Sequence, residues 1–141
     1  MSDDRPTDGL PTTDAERREA GMRTRREVLG DAHVDRAVAD TTPFTAGFQD
    51  FITRVAWGDV WQRPGLTRRE RSIATLSVTI ALRHWDEFAL HVRAAVTNGL
   101  TDEEIAEVLQ HAAVYAGVPA ANHAYNVAGP ILAELRAASG G

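Results

Sequence analysis

The chain is expected to be all-α, a compact single-domain bundle of about six helices. Three observations predict this. Helix-capping boxes recur along the sequence, apolar residues repeat at helical period, and no segment sustains the apolar–polar alternation of a half-buried strand between hairpin turns. A capping box pairs a Thr hydroxyl, which accepts from the backbone amide three residues on, with a Glu that reaches back to the cap amide. Thr13 with Glu16, Thr67 with Glu70 and Thr101 with Glu104 all have that spacing.

Taken in order, residues 1–12 are rich in Asp, Pro, Thr and Gly and are expected to form a disordered tail, leaving 13–137 as the folded domain. Thr13 opens a helix over 14–29. Thr42-Pro43 opens the next, over 43–60, because proline at the first helical position sacrifices an N–H that has no partner there. Phe44, Phe48, Phe51, Ile52 and Val55 then repeat with helical spacing. Arg63-Pro64-Gly65 reads as a turn, and Thr67 opens a helix over 67–83. Its apolar run from Ile73 to Leu82 is expected to be buried; the β-branched residues there admit a strand, but the capping box and the length favour a helix. A helix over 85–98 stops at Asn98-Gly99, since glycine accepts the left-handed conformation that closes a helix. Thr101 opens 102–116, with Ile105, Val108, Leu109, Ala112 and Ala116 in helical register and Gly117-Val118-Pro119 as its stop. The last helix is expected over 121–137.

Composition excludes several function classes. The 141 residues include no cysteine, which removes disulfides, thiol nucleophiles, thiolate metal sites and thiol redox relays. A net charge of −5 gives no global attraction to nucleic acid. The local cluster Arg17, Arg18, Arg23, Arg25 and Arg26 is interleaved with Glu16, Glu19 and Glu27, as on the solvated face of a helix. The polar, acidic start lacks the apolar segment of a secretory signal, and the run 73–82 is about half the length of a membrane span. A soluble, cytoplasmic protein is expected.

The stretch His84-Trp85-Asp86-Glu87-Phe88-Ala89-Leu90-His91 is the richest in chemistry. On a helix His84, Glu87 and His91 fall at i, i+3 and i+7, so two imidazoles and a carboxylate are expected on one face. That is acid–base equipment. The two imidazoles would be about 10 Å apart by helical rise, too far to share one metal ion easily, so no metal is expected.

A series of blocks gives these residues a context. Gly21-Met22, Arg25 through Arg36, Phe48-Gln49, Ile52 through Trp61 and Arg63-Pro64-Gly65-Leu66 come first. Arg71-Ser72, Glu87 with His91, Arg93-Ala94-Ala95, Asn98 through Thr101 and Tyr115 through Asn122 follow. In this order, over nearly all of 18–135, the chain resembles the carboxymuconolactone decarboxylase family. The wider alkylhydroperoxidase-D-like superfamily includes peroxidases with Cys-x-x-Cys-x-x-x-His where this chain has His84 through His91. With both thiols absent, peroxidase chemistry is closed to it.

The resemblance implies a compact helical subunit of the alkylhydroperoxidase-D-like type in a homo-oligomer, commonly a trimer of dimers. It implies no cofactor and a small dicarboxylate lactone as substrate. The implied reaction is decarboxylation of 4-carboxymuconolactone to 3-oxoadipate enol-lactone, in the protocatechuate branch of the β-ketoadipate pathway. There the conjugated lactone is its own electron sink. The reaction needs a stabilised enolate oxygen, a proton delivered to the α-carbon, and a grip on the spectator carboxylate. By family position His91 is the candidate general acid and Glu87 its orienting partner. Arg71, Arg93 and Arg54 are candidates for the spectator carboxylate, where a guanidinium offers two parallel donors. Trp57 and Trp61 are candidate walls of a poorly solvated pocket. His33, expected between helices, is a second candidate acid or substrate contact, and Tyr115 and Asn122 are candidate donors to the lactone oxygen. Two other readings stay open: a paralogous lyase acting on another unsaturated lactone or keto acid, and a non-catalytic helical assembly protein.

Overall fold

A computed structural model describes residues 9–140. Among them the chain forms seven α-helices and no strand: α1 Asp14–Leu29, α2 Asp31–Ala39, α3 Ala46–Ile52, α4 Arg68–Ala81, α5 Trp85–Thr97, α6 Asp102–Ala116 and α7 Val118–Gly140. These gather into two compact units, one ending at Gly65 and one beginning at Leu66. No described helix is long and apolar enough to cross a membrane. The part of the expected tail that covers 1–8 lies outside the described residues. Residues 9–12 run onto α1, where the Thr12 amide and hydroxyl both donate to Glu16 Oε2 at 2.7 and 3.0 Å.

All three capping boxes form, at the starts of α1, α4 and α6. Each satisfies amides that the helix itself leaves without partners. The hydrogen bonds to the ionised carboxylates hold the pKa values of Glu16, Glu70 and Glu104 below the ordinary 4.5, chiefly through the backbone amides of Thr12, Thr67 and Thr101.

In the first unit α1 packs on a π-helical segment, Thr53–Trp57, that continues α3 directly. The segment closes with the Gly58 amide donating to the Thr53 carbonyl at 2.8 Å, five residues back. The helix expected over 43–60 is thus broken into pieces. Residues 43–45 are a turn, held by the Thr42 amide donating to Thr45 Oγ1 at 2.9 Å, and Val60–Gln62 is a 3-10 turn. The two backbones meet without side chains between them. A Cβ on Gly21 would lie 2.0 Å from the Thr53 carbonyl oxygen, and one on Gly58 would lie 2.2 Å from the Arg17 carbonyl oxygen. Helix α2 was not expected. It restarts after Gly30 at φ +89° with no side-chain cap, so no Thr-x-x-Glu signature announces it. His33 therefore sits on a helix, half buried, and not on a connection.

The arginine cluster divides. Arg18 pairs with Asp50 at 2.6 Å, Arg26 with Asp35 at 2.8 Å and Arg17 with Asp14 at 3.3 Å, all as surface pairs. Arg25 is instead buried at 5% exposure and donates to Gln49 Oε1 at 3.1 Å and Thr53 Oγ1 at 3.4 Å. Its expected place on a solvated face is corrected, and burial lowers its pKa. Thr53 Oγ1 donates in turn to the Gln49 carbonyl at 2.8 Å, so Arg25 clasps the junction where α3 becomes π-helical.

In the second unit α4 packs on α5 and α6, and α7 closes against α5 and α6. Leu76, Ile80, Phe88, Val92, Ala95, Leu100, Ile105 and Leu109 fill the core. Ala120, Ala124 and Ala128 recur every four residues along α7 and end at Leu132, a small-residue stripe that lets the helix approach closely. Pro130 lies inside α7, on its exposed side, and removes one intrahelical amide. The run from Ile73 to Leu82 is only half buried. Leu76, Thr79 and Ile80 face the core, whereas Ile73, Val78 and Leu82 are 38%, 54% and 58% exposed, because α4 packs within this unit along one side alone.

Gly58→Ala should cost at least about 2 kcal/mol in urea unfolding, since a carbonyl must move to admit the methyl group. Gly47→Ala, in α3 with open space around its Cβ position, should be neutral or stabilising by up to about 1 kcal/mol. Asp50, held by Arg18 and then Arg54, has its pKa lowered from 3.8 to about 2. A depressed folded pKa means stability that is present above the ordinary value and lost as pH falls through the folded one. The melting temperature should therefore fall as pH is taken from about 5 to about 2, and Asp50→Asn should remove part of the loss below about pH 4.

Candidate active site

Helix α5 is fixed at both ends. Before it, Arg83 takes a left-handed φ of +58° and the His84 amide donates to the Thr79 carbonyl at 2.9 Å, turning the chain back from α4. A non-glycine residue in that conformation is strained, so the surrounding structure must enforce it. After α5, Asn98 Nδ2 donates to Ser72 Oγ on α4 at 2.8 Å and Gly99 adopts φ +96°. Between these ends Phe88, Val92 and Ala95 have no exposure, and His91 is 7% exposed, the one buried histidine among the described residues.

The expected line of three side chains breaks up. His84 is the N-cap, with a non-helical ψ of 78°, and is exposed. Glu87 is on the helix one turn before His91 but is exposed, and it makes no hydrogen bond or ion pair among the described residues. An orienting bond from Glu87 to His91 is thus absent from this chain by itself. Arg83, His84, Trp85, Asp86 and Glu87 line an open cavity of about 530 Å³ at this corner. Trp85 packs against His123 of α7 with ring centroids 4.3 Å apart and planes tilted by 48°, and meets Phe88 edge-on at 5.7 Å. No sequence motif marks His123, and only the packing of α7 on α5 brings it to Trp85. Among the described residues no group of three or more His, Asp or Glu side chains gathers as a metal site.

The candidate arginines differ sharply. Arg71, on α4, is half buried in the layer next to α5. Arg93 follows His91 by two residues, about 200° round the helix, so it points to the opposite side of α5. There it is bidentate to Glu134 of α7, at 3.4 and 3.0 Å, and lowers that carboxyl's pKa. Arg54 lies in the first unit, paired with Asp50 at 2.7 Å and Asp14 at 3.7 Å. Trp57 is buried and pairs with Trp61 at 5.0 Å, also in the first unit, as is His33. Tyr115 is 81% exposed with its ring centroid 5.2 Å from that of His111, and Asn122 is exposed on α7. Neither side chain makes a hydrogen bond among the described residues. The structure thus brings Arg71, Glu87 and His91 onto two packed helices, and turns Arg93 away from them.

Residues 46–129, from α3 into α7, match the carboxymuconolactone decarboxylase family. The chain belongs to that family. Its relatives carry two activities in their names. It is 43% identical to 4-carboxymuconolactone decarboxylase of Acinetobacter baylyi over 122 residues, 86% of this chain and 91% of that one. It is 50% identical to nitrosuccinic acid decarboxylase of Metarhizium robertsii over 99 residues, 70% of this chain and 69% of that one. A further 4-carboxymuconolactone decarboxylase, of Pseudomonas putida, is 54% identical over 44 residues, 31% of this chain and 92% of that sequence. The family match contains α4, α5 and α6 whole, and with them Arg71, Glu87 and His91.

Arg93→Ala should change stability by no more than about 1 kcal/mol, as for an exposed ion pair. It should leave the substrate KM within about twofold, whereas Arg71→Ala should raise KM at least about tenfold. Steady-state kinetics with thermal melts on both variants checks the contrast.

Proposed function

We infer that this family member is a carboxy-lyase that converts 4-carboxymuconolactone to 3-oxoadipate enol-lactone without a cofactor. The observation that carries the reading is its similarity to the Acinetobacter baylyi enzyme of that name along 86% of one chain and 91% of the other. All of the relatives above are decarboxylases by name.

The chemistry follows from the substrate. The C–C bond to the departing carboxylate breaks, CO2 leaves, and its electron pair passes through the ring double bond to the lactone carbonyl. The dienolate is then protonated at its α-carbon, which leaves the β,γ-enol lactone. His91 suits the proton delivery, since it is buried on α5 next to Phe88, Val92 and Ala95, which have no exposure. Arg71, half buried on the adjacent α4, suits the spectator carboxylate. Glu87 works on this reading through the field of a carboxylate in the first turn of α5 or through a bond made once substrate is bound. His33, Arg54, Trp57, Trp61, Tyr115 and Asn122 remain proposed substrate contacts.

Assembly as a homo-oligomer, a trimer of dimers in the cytoplasm, belongs to the same reading. Its support is the row of exposed aromatics Phe44, Phe48 and Phe51, which are 95%, 62% and 50% exposed. So much exposed apolar surface on one stretch of chain supports an interface there. Sedimentation should give a mass near six chains, and a monomer would contradict the assembly.

Purified protein should release CO2 from 4-carboxymuconolactone, with His91→Ala lowering kcat by about 100-fold or more. Glu87→Gln should give a smaller loss, about tenfold. No turnover of the lactone would overturn the reading, and full activity in His91→Ala would remove His91 from the reaction.

A further inference from the structure

We propose that the site recognises a 2-substituted succinate, so that this chain also removes CO2 from 2-nitrosuccinate. The proposal rests on the decarboxylase reading above and names the substrate class that the reading leaves open.

Two named acids frame it, each handled by a relative at 43% or 50% identity. Drawn out, they share one fragment. The ring carbon of 4-carboxymuconolactone that loses its carboxylate also carries a –CH2–COO⁻ arm. The carbon of 2-nitrosuccinate that bears the nitro group and one carboxylate carries the same arm. Both are therefore succinates with an electron-withdrawing group at the reacting carbon. The group itself differs. In the lactone the electron pair left by CO2 ends on the lactone oxygen as a dienolate; in the nitro acid it ends on a nitro oxygen as a nitronate. Each is a planar anion with its charge on oxygen, and each step balances without an oxidant or reductant. The nitronate then takes a proton on carbon to give 3-nitropropanoate.

What the protein must supply is common to the two: a cation for the –CH2–COO⁻ arm, a water-poor place for the departing carboxylate, and a proton. Within the unit from Leu66 on, two packed helices offer that set. Arg71 is half buried on α4, and His91 is buried on α5 beside Phe88, Val92 and Ala95, which have no exposure. Desolvation of a carboxylate among such side chains favours neutral CO2 whichever electron sink sits beyond it. Arg93 does not compete for the arm, because Glu134 holds it on the other side of α5. Specificity thus resides in the arm, and the sink is exchangeable.

The test gives the full-length wild-type protein three substrates and follows CO2 release above the uncatalysed rate. These are 4-carboxymuconolactone, 2-nitrosuccinate, and 2-nitropropanoate, which keeps the nitro sink but lacks the carboxylate arm. The lactone and 2-nitrosuccinate should both be turned over. The kcat/KM for 2-nitropropanoate should be at least about 100-fold below that for 2-nitrosuccinate. Arg71→Gln should shrink that preference at least about tenfold, a change in ratio that general destabilisation does not produce. The wild-type series decides the proposal even where Arg71→Gln fails to fold. Turnover of the lactone with none of 2-nitrosuccinate overturns the proposal and leaves the lactone reading standing. Turnover of 2-nitrosuccinate with none of the lactone overturns the lactone reading and supports recognition of the succinate. Equal turnover of 2-nitrosuccinate and 2-nitropropanoate overturns recognition of the arm.

Discussion

The placement of α5 is the constraint on which the site depends. A histidine at 7% exposure sits on α5 beside Phe88, Val92 and Ala95, which have no exposure, and burying an imidazole costs free energy. The helix cannot slide to relieve the cost. At one end the left-handed Arg83 and the bond from the His84 amide to Thr79 set where α5 begins. At the other, the bond from Asn98 to Ser72 ties it back to α4. A shift by one residue would rotate His91 by about 100° and bring a different side chain to its place. The strain at Arg83 is thus coupled to the position of His91 through a single rigid helix.

The first unit depends on a constraint of another kind. Gly21 and Gly58 let two backbones meet, and each position would drive a Cβ into a carbonyl oxygen. The π-helical segment supplies the partner surface for α1, and Arg25 ties it to the end of α3 through Gln49 and Thr53. A buried guanidinium bonded to neutral acceptors is costly. It persists here at a register change that an ordinary α-helix would not make, and π-helical turns concentrate at functional sites. Trp57, at the end of this segment, is buried.

Much of this was legible in the sequence where the signal is local. The three Thr-x-x-Glu boxes are complete within four residues, and all three form, at the starts of α1, α4 and α6. Gly99 and Gly117 stopped their helices because the left-handed conformation they take is theirs at little cost. What could not be read is set by packing between distant segments. Helix α2 lacks a side-chain cap, and the break of the 43–60 helix into α3, a π segment and a 3-10 turn answers to Gly21 across the unit. Arg25 is one arginine among five in sequence, and only the fold shows it buried. His84 fell out of line with Glu87 and His91 because the turn from α4 uses it as a cap, a choice decided by Thr79. Family resemblance, read from blocks along the chain, marked Arg93 as a candidate, and its bond to Glu134 turned on which side of α5 it faces.

The chemistry joins these pieces through one event, the transfer of a proton to the carbon that the departing electrons have reached. On the proposed function, the buried imidazole of His91 would deliver that proton from one side of a bound dienolate, whereas free water would deliver it from both. Turnover of 4-carboxymuconolactone in D2O, read by NMR before the product exchanges in solution, measures this directly. The account predicts one deuterium on the α-carbon of the enol-lactone, on a single face. Deuterium shared equally between the two faces, after correction for uncatalysed exchange, would contradict protonation within the site.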